Sequence, residues 1–280
     1  MIHVRTMKMA DIPAGEALCR AANWNQLPRD WQLFLELNPA GNRVAELDKN
    51  VVGTVTTLDY QDKFSWIGMV LVDPAYRQKG IGTALLKEAL AMLSDRETVK
   101  LDATPAGREV YLKMDFKDEY RLSRMVGVAN PEKLINANSS GIKSENLDTI
   151  SDFDKKIFGA GRRGLLEWQW KGAHEYAFVE KNGEEIAGYC LGRHGYNFEQ
   201  IGPVLALNAD IAIRLTSAAL ANCKSKPVAI DAMHFNPEWL SWLTSLGLKE
   251  QRPFVRMYKG TNAINDRPAE QFGIMGPEFG

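Results

Sequence analysis

Arg77-Gln78-Lys79-Gly80-Ile81-Gly82-Thr83 stands between a run that reads as a strand and a run that reads as a helix, and it constrains the chain more than any other feature. Upstream, residues 64–73 are apolar and β-branched until Pro74 stops them, the pattern of a buried strand. Downstream, Leu85, Leu86, Ala89, Leu90 and Leu93 share one face of a helix predicted over 83–93, with Lys87 and Glu88 towards solvent. The two glycines therefore fall where a helix opens. Lacking a Cβ, they let a ligand approach the unpaired amides of the first turn, where the helix dipole favours a phosphate.

An ordinary strand-to-helix turn would show the same glycines, and Gly-x-Gly also opens dinucleotide and P-loop sites. Spacing rejects the last two. Leu85 stands where the third glycine of Gly-x-Gly-x-x-Gly belongs, and no Gly-Lys-Ser/Thr follows a longer loop. The pattern present, Arg/Gln-x-x-Gly-x-Gly/Ala preceded by Val72-Asp73-Pro74-Ala75-Tyr76, resembles the signature of acyl-CoA-dependent N-acetyltransferases of the GNAT superfamily. The resemblance implies acetyl-CoA as co-substrate, held along Arg77, Gln78, Lys79, Gly80, Ile81, Gly82 and Thr83, with no metal. It also implies an α+β fold: a mixed, mostly antiparallel sheet flanked by helices, whose central strands splay to admit the pantetheine arm.

The order of elements suits that fold. Strands are predicted at 2–7, 98–103 and 119–127, helices at 11–22, 30–37 and 105–114, and a hairpin of 43–46 with 51–60 turns at Asp48-Lys49-Asn50. The second half repeats the outline. Ile201-Gly202-Pro203-Val204-Leu205 echoes Ile67-Gly68-Met69-Val70-Leu71, Ile230-Asp231-Ala232 echoes Leu101-Asp102-Ala103, Trp242-Leu243 echoes Tyr111-Leu112, and Arg256-Met257 echoes Arg124-Met125. Only the phosphate loop fails to recur, since Asn208-Ala209-Asp210 holds no glycine and sets a carboxylate where a pyrophosphate would lie. Two tandem GNAT-like domains are therefore expected: residues 1–130 binding acyl-CoA, and residues 145–262 without a phosphate loop. Turn-forming residues between 130 and 146 mark the boundary. A tail, 263–280, is apolar enough to dock over the groove between the domains, or it frays.

Bulk properties narrow the function classes. In 280 residues of net charge −1 there is no basic excess of the kind a nucleic-acid partner requires. No eighteen-residue apolar run points to a membrane, and a polar, strand-like start in place of a signal peptide points to the cytoplasm. Cys19, Cys190 and Cys223 and the four histidines are too dispersed for a disulfide framework or a metal cluster. Oligomeric state leaves no signal.

The family's chemistry is acyl transfer from a thioester to an amine. The resemblance places an oxyanion site at backbone amides around Val70, Leu71 and Val72, provided a β-bulge interrupts that strand, and places Tyr111 near the thioester sulfur as acid. Asp115-Phe116 departs from the family's usual Gly-Phe after that helix. Trp24, Asn25, Gln26 and Asp30, in the segment after the first helix, are the candidates for binding a small amine, or they pin a loop. Glu46, Asp59 and Asp102 are carboxylates near strand ends. Asp102 recurs as Asp231 in the copy without the loop, which favours a structural role, and no base is assigned. A non-catalytic acyl-CoA sensor or scaffold, and a peptide N-acetyltransferase, are the alternative functions.

Overall fold

A computed structural model describes residues 2–61, 63–135 and 139–280. Asn136, Ala137 and Asn138 of the expected boundary segment lie outside the described residues. The first half runs β1 (His3–Thr6), α1 (Ile12–Ala21), α2 (Pro28–Leu37), β2 (Arg43–Leu47), β3 (Asn50–Tyr60), β4 (Phe64–Val72), α3 (Ile81–Met92), β5 (Thr98–Ala103), α4 (Pro105–Leu112) and β6 (Lys117–Gly127). After β7 (Ser140–Gly141) follow α5 (Leu147–Phe158), α6 (Arg163–Gly172), β8 (Phe178–Asn182), β9 (Glu185–Arg193), β10 (Glu199–Ala206), α7 (Ala209–Ala221), β11 (Val228–Met233), α8 (Pro237–Ser245), β12 (Lys249–Gly260) and β13 (Gln271–Gly273).

Local chemistry sets several of these boundaries. Asp48 and Lys49 take positive φ of 50° and 67°, the left-handed pair that a tight hairpin between β2 and β3 demands. Thr104 caps α4 by accepting from the Gly107 amide at 3.2 Å, and Pro105 opens the helix without missing an amide bond. Asp11 precedes α1 but does not cap it with its side chain; its carboxylate forks onto Arg5 at 2.8 Å through both oxygens. On one side of the first half's sheet, Leu85, Leu86 and Ala89 of α3 pack against Val52, Val55 and Val99.

The described strands form one sheet, β1-β2-β3-β4-β5-β12-β6-β11-β13-β10-β9-β8-β7. Each half keeps the mixed, mostly antiparallel order expected of it, yet the two halves exchange strands. β12, from the second half, lies antiparallel between β5 and β6, and β6 pairs in turn with β11. The recurring carboxylates are explained by this exchange. Arg256 of β12 forks onto Asp102 of β5 with both N···O distances 2.8 Å, and Arg124 of β6 forks onto Asp231 of β11 at the same distances. Each half's aspartate thus holds the other half's arginine inside the sheet.

Both halves also part their central strands. β4 and β5 pair only at Ser65↔Val99 and Trp66↔Lys100, and β10 and β11 only at Glu199↔Val228 and Gln200↔Ala229. In the second half the gap is filled by β13, which pairs with both neighbours. The last ten residues of the tail are docked rather than frayed. From Gln271 to Gly280 every residue is buried except Pro277, which is half-buried.

Candidate active site

At the start of α3 the phosphate loop is bare. Gly80 occupies the N-cap position with φ of 78°, and no side chain among the described residues caps the helix. The helix begins at Ile81, two residues earlier than expected, so Gly82 lies inside the first turn. A Cβ built on Gly80 would meet nothing within 4 Å, and one on Gly82 would meet only Val72 Cγ2 at 3.5 Å. The leading amides of this turn have no helical acceptor, the space at Gly80 is open, and Arg77, Gln78 and Lys79 stand exposed beside them. The donor set and the room fit a pyrophosphate. The corresponding terminus in the second half is closed, because Asn208 Oδ1 accepts from the Ile211 amide at 3.0 Å and Asp210 follows in the first turn of α7.

Where β4 leaves β5 a pocket of about 60 Å³ opens. Its wall on β4 is a bulge. The β3–β4 register shifts between Thr54 and Thr56, Met69 takes a φ of 49°, and Thr54 Oγ1 donates to the Met69 carbonyl at 2.8 Å. Such an irregularity frees backbone amides from the ladder and re-aims them. Val70 lines the pocket beside Gly68 and Met69, whereas Leu71 and Val72 lie beyond its lining.

Tyr111 also lines the pocket, its ring 5.9 Å from that of Phe116. Asp115 adopts the left-handed conformation with φ of 64°, so the turn survives the missing glycine and Phe116 donates back to the Tyr111 carbonyl at 3.2 Å. The phenol has no hydrogen-bond partner among the described residues, and burial pushes its pKa up to about 12.

The four acceptor candidates divide. Trp24 and Gln26 line the pocket. Asn25 and Asp30 are turned away from it into the contact between the halves. Asn25 Oδ1 accepts from the amides of Asn197 at 2.8 Å and Phe198 at 3.0 Å; Asp30 accepts from the Leu27 amide at 2.6 Å and pairs with Arg193. The Asn25 amide and one oxygen of Asp30 are spent on joining the two halves, which a reading of the segment by itself had no means of revealing, while the other oxygen of Asp30 caps its own helix. Of the strand-end carboxylates, Glu46 pairs with Arg5 at 2.9 Å and Asp59 is bonded by Ser65; only Asp102 borders the pocket, with both oxygens taken by Arg256.

Residues missed from the sequence complete the lining. Arg252 of β12 is half-buried there, with no hydrogen-bond or ion-pair partner among the described residues. Pro277 and Glu278 arrive from the tail. Glu278 Oε1 accepts from Gln26 Nε2 at 2.8 Å and from Arg193. Burial by itself would raise this carboxyl, but the Arg193 charge and the Gln26 bond outweigh it and hold the group below its ordinary value. The other carboxylate on Arg193, Asp30, is raised by burial in spite of the same guanidinium. Arg193 also reaches Gln200 Oε1 at 3.1 Å, and Gln200 donates to Asp231 at 2.8 Å, so one polar network runs from the pocket through the centre of the sheet. The signal in the sequence was the apolar run around Glu278, a carboxylate embedded in residues that bury themselves.

Among the described residues no helix is long and apolar enough to cross a membrane, and no group of three His, Cys, Asp or Glu side chains is placed to hold a metal. Comparison with known sequences matches residues 12–116 to the acetyltransferase (GNAT) family and residues 150–273 to an acetyltransferase (GNAT) domain. The holothin acyltransferase of a Pseudoalteromonas species is 29% identical over 86% of this chain and 82% of its own length. An uncharacterized N-acetyltransferase of Bacillus subtilis is 21% identical over 86% of each. Among solved structures, an acetyltransferase so named by inference from Pyrococcus horikoshii superposes with a TM-score of 0.82 at 24% identity, covering 100% of this chain and 96% of that one. A tandem GNAT protein from the clavulanic acid biosynthesis pathway gives 0.67 at 15% identity, covering 92% and 98%. These two structural likenesses concern the fold.

Proposed function

The chain belongs to the GNAT superfamily as a tandem pair of GNAT domains, and from that premise we propose that this acyltransferase moves acetyl from acetyl-CoA to the primary amine of a small molecule. Residues 1–130 bind the coenzyme; residues 145–262 do not, and the tail 263–280 closes the site. The observation that carries the reading is the bare first turn of α3 opening beside the parted β4 and β5, against the capped α7 and the filled gap of the second domain.

Acyl-CoA brings the activated thioester. The first-turn amides of α3 hold its phosphates, with Arg77, Gln78 and Lys79 alongside. The β4 bulge directs the Val70 amide, with Leu71 and Val72 continuing the edge, to the oxygen that becomes negative during transfer. Tyr111, protonated up to about pH 12, supplies the proton that the departing sulfur needs. The attacking nitrogen gives its proton to water and Tyr111 recovers one from water, so one C–N bond forms, one C–S bond breaks and the protons balance.

Calorimetric titration with acetyl-CoA, run beside a thiol-release assay over spermidine, tyramine, lysine, glucosamine and a short peptide, tests the reading. Binding with thiol release for a small amine is the expected result. Binding without release across the panel overturns catalysis in favour of a sensor, and release for the peptide alone overturns the small-molecule acceptor.

A further inference from the structure

The tail makes two contacts that neither domain explains by itself. In the second domain β13 takes up the gap between β10 and β11 that a coenzyme arm would need, pairing Val204 with Gly273 and Ala232 with Gly273. The hold is tight: the Ile274 amide donates to the Asp231 carbonyl at 3.1 Å, and a Cβ on Gly202 would come within 2.1 Å of the Ile274 carbonyl oxygen. The chain then crosses into the first domain. Trp66 Nε1 donates to the Pro277 carbonyl at 3.0 Å, the Phe279 ring stacks on Phe34 at 5.0 Å, and the Glu278 backbone passes so close over Gly68 that a Cβ there would meet its carbonyl oxygen at 2.8 Å. Gly68 adjoins the bulge. Glu278 is thereby set into the wall of the first domain's pocket, beside the residues that flank the thioester in the reading above.

We propose that Glu278 is the acceptor-binding carboxylate, receiving the amine of the substrate in the first domain's pocket, and that the second domain serves as the mount for the strand that presents it. Three features support this. Asp102, the other carboxylate in the lining, has both oxygens on Arg256, whereas Glu278 engages Gln26 and Arg193 through Oε1 and its Oε2 has no hydrogen-bond partner among the described residues. Asp30 and Glu278 share the single Arg193 guanidinium, so neither carboxylate has that cation to itself, and the free oxygen of Glu278 can accept from the N–H of an amine. Gln26 and Arg193 fix the side chain before the substrate arrives, which lowers the cost of binding.

This inference rests on the acetyl-transfer reading, and the experiment separates the two. Glu278→Gln keeps the shape and leaves Asp30 to neutralise Arg193. It is assayed by thiol release with the best amine of the panel above, and by calorimetry with acetyl-CoA. Expected is a rise of at least roughly tenfold in the acceptor KM, the size of one lost charge-assisted contact, with acetyl-CoA affinity unchanged and partial recovery in Glu278→Asp. An unchanged acceptor KM overturns the proposal, and so does a parallel loss of acetyl-CoA affinity, which would mark Glu278 as a strut of the fold. Failure of the unaltered protein to release thiol with any amine overturns the parent reading and this one with it.

Discussion

The two domains share a frame and differ at two places within it. Both carry an aspartate on the strand before the last helix and an arginine on the strand after it, and each aspartate binds the other domain's arginine. Both part their central strands. The helix terminus beside the gap is bare in the first domain and capped by Asn208 in the second, and the second gap is filled by β13. The frame is common to both halves, and the open helix terminus beside an unfilled gap belongs to the first alone. In the second half the same gap holds a strand of the chain's own tail.

The largest effect tests what the halves share. Asp102→Asn and Asp231→Asn each leave a buried arginine without its counter-charge, and each is expected to cost about 3–5 kcal/mol of stability. Denaturant unfolding of both variants measures it. Near-equal costs follow from the exchanged, mutually equivalent pairs; a negligible cost at either position would break the equivalence.

Next in size is the feature that only one domain has. Gly82→Glu puts a carboxylate into the first turn of α3, where repulsion from a pyrophosphate at about 4 Å amounts to roughly 4 kcal/mol, near a thousandfold in affinity. The Cβ has room, so the unfolding midpoint should hold while calorimetric binding of acetyl-CoA disappears. Retained affinity would remove the phosphate site from α3.

Tyr111→Phe is expected to lower kcat about a hundredfold with little change in acetyl-CoA affinity, the usual weight of a positioned acid. The pH dependence follows from burial. A phenol raised to about 12 keeps its proton throughout the neutral and mildly basic range, so its acid role persists and the rate should not fall between pH 7 and pH 10. A basic limb with its midpoint near pH 9 that vanishes in Tyr111→Phe would contradict that environment.

How much of this was legible in the sequence differs between fold and site. Glycine spacing and hydrophobic period are local signals, and they located the loop, α3 and the repeated outline within a few residues. The strand exchange was hidden, because β6 and β12 carry the patterns of ordinary strands whichever partner they choose. Its trace was the recurrence of Asp102 with Asp231 and of Arg124 with Arg256, visible as a repeat but not as a crossed pairing. Asn25 and Asp30 misled for a related reason: a polar segment after a helix reads the same whether it faces a ligand or another domain, and here Phe198 and Arg193, far along the chain, claimed it. Glu278 was missed because nothing in an apolar tail states where it docks. That depends on β10 and β11 being parted in space, a property of the assembled sheet.

The smallest effect closes the comparison from the side of the second domain. Asn208→Ala removes the side chain that accepts from Ile211, and the loss of such a cap is expected to cost about 1 kcal/mol. The variant bares the α7 terminus as α3 is bare, yet Asp210 remains in the first turn and β13 still fills the gap beside it. Unfolding should therefore shift by that small amount while calorimetry detects one acetyl-CoA per chain, as before. A second binding event in Asn208→Ala would mean that the cap alone silenced this domain, and that the tail strand is displaced as readily as it is held.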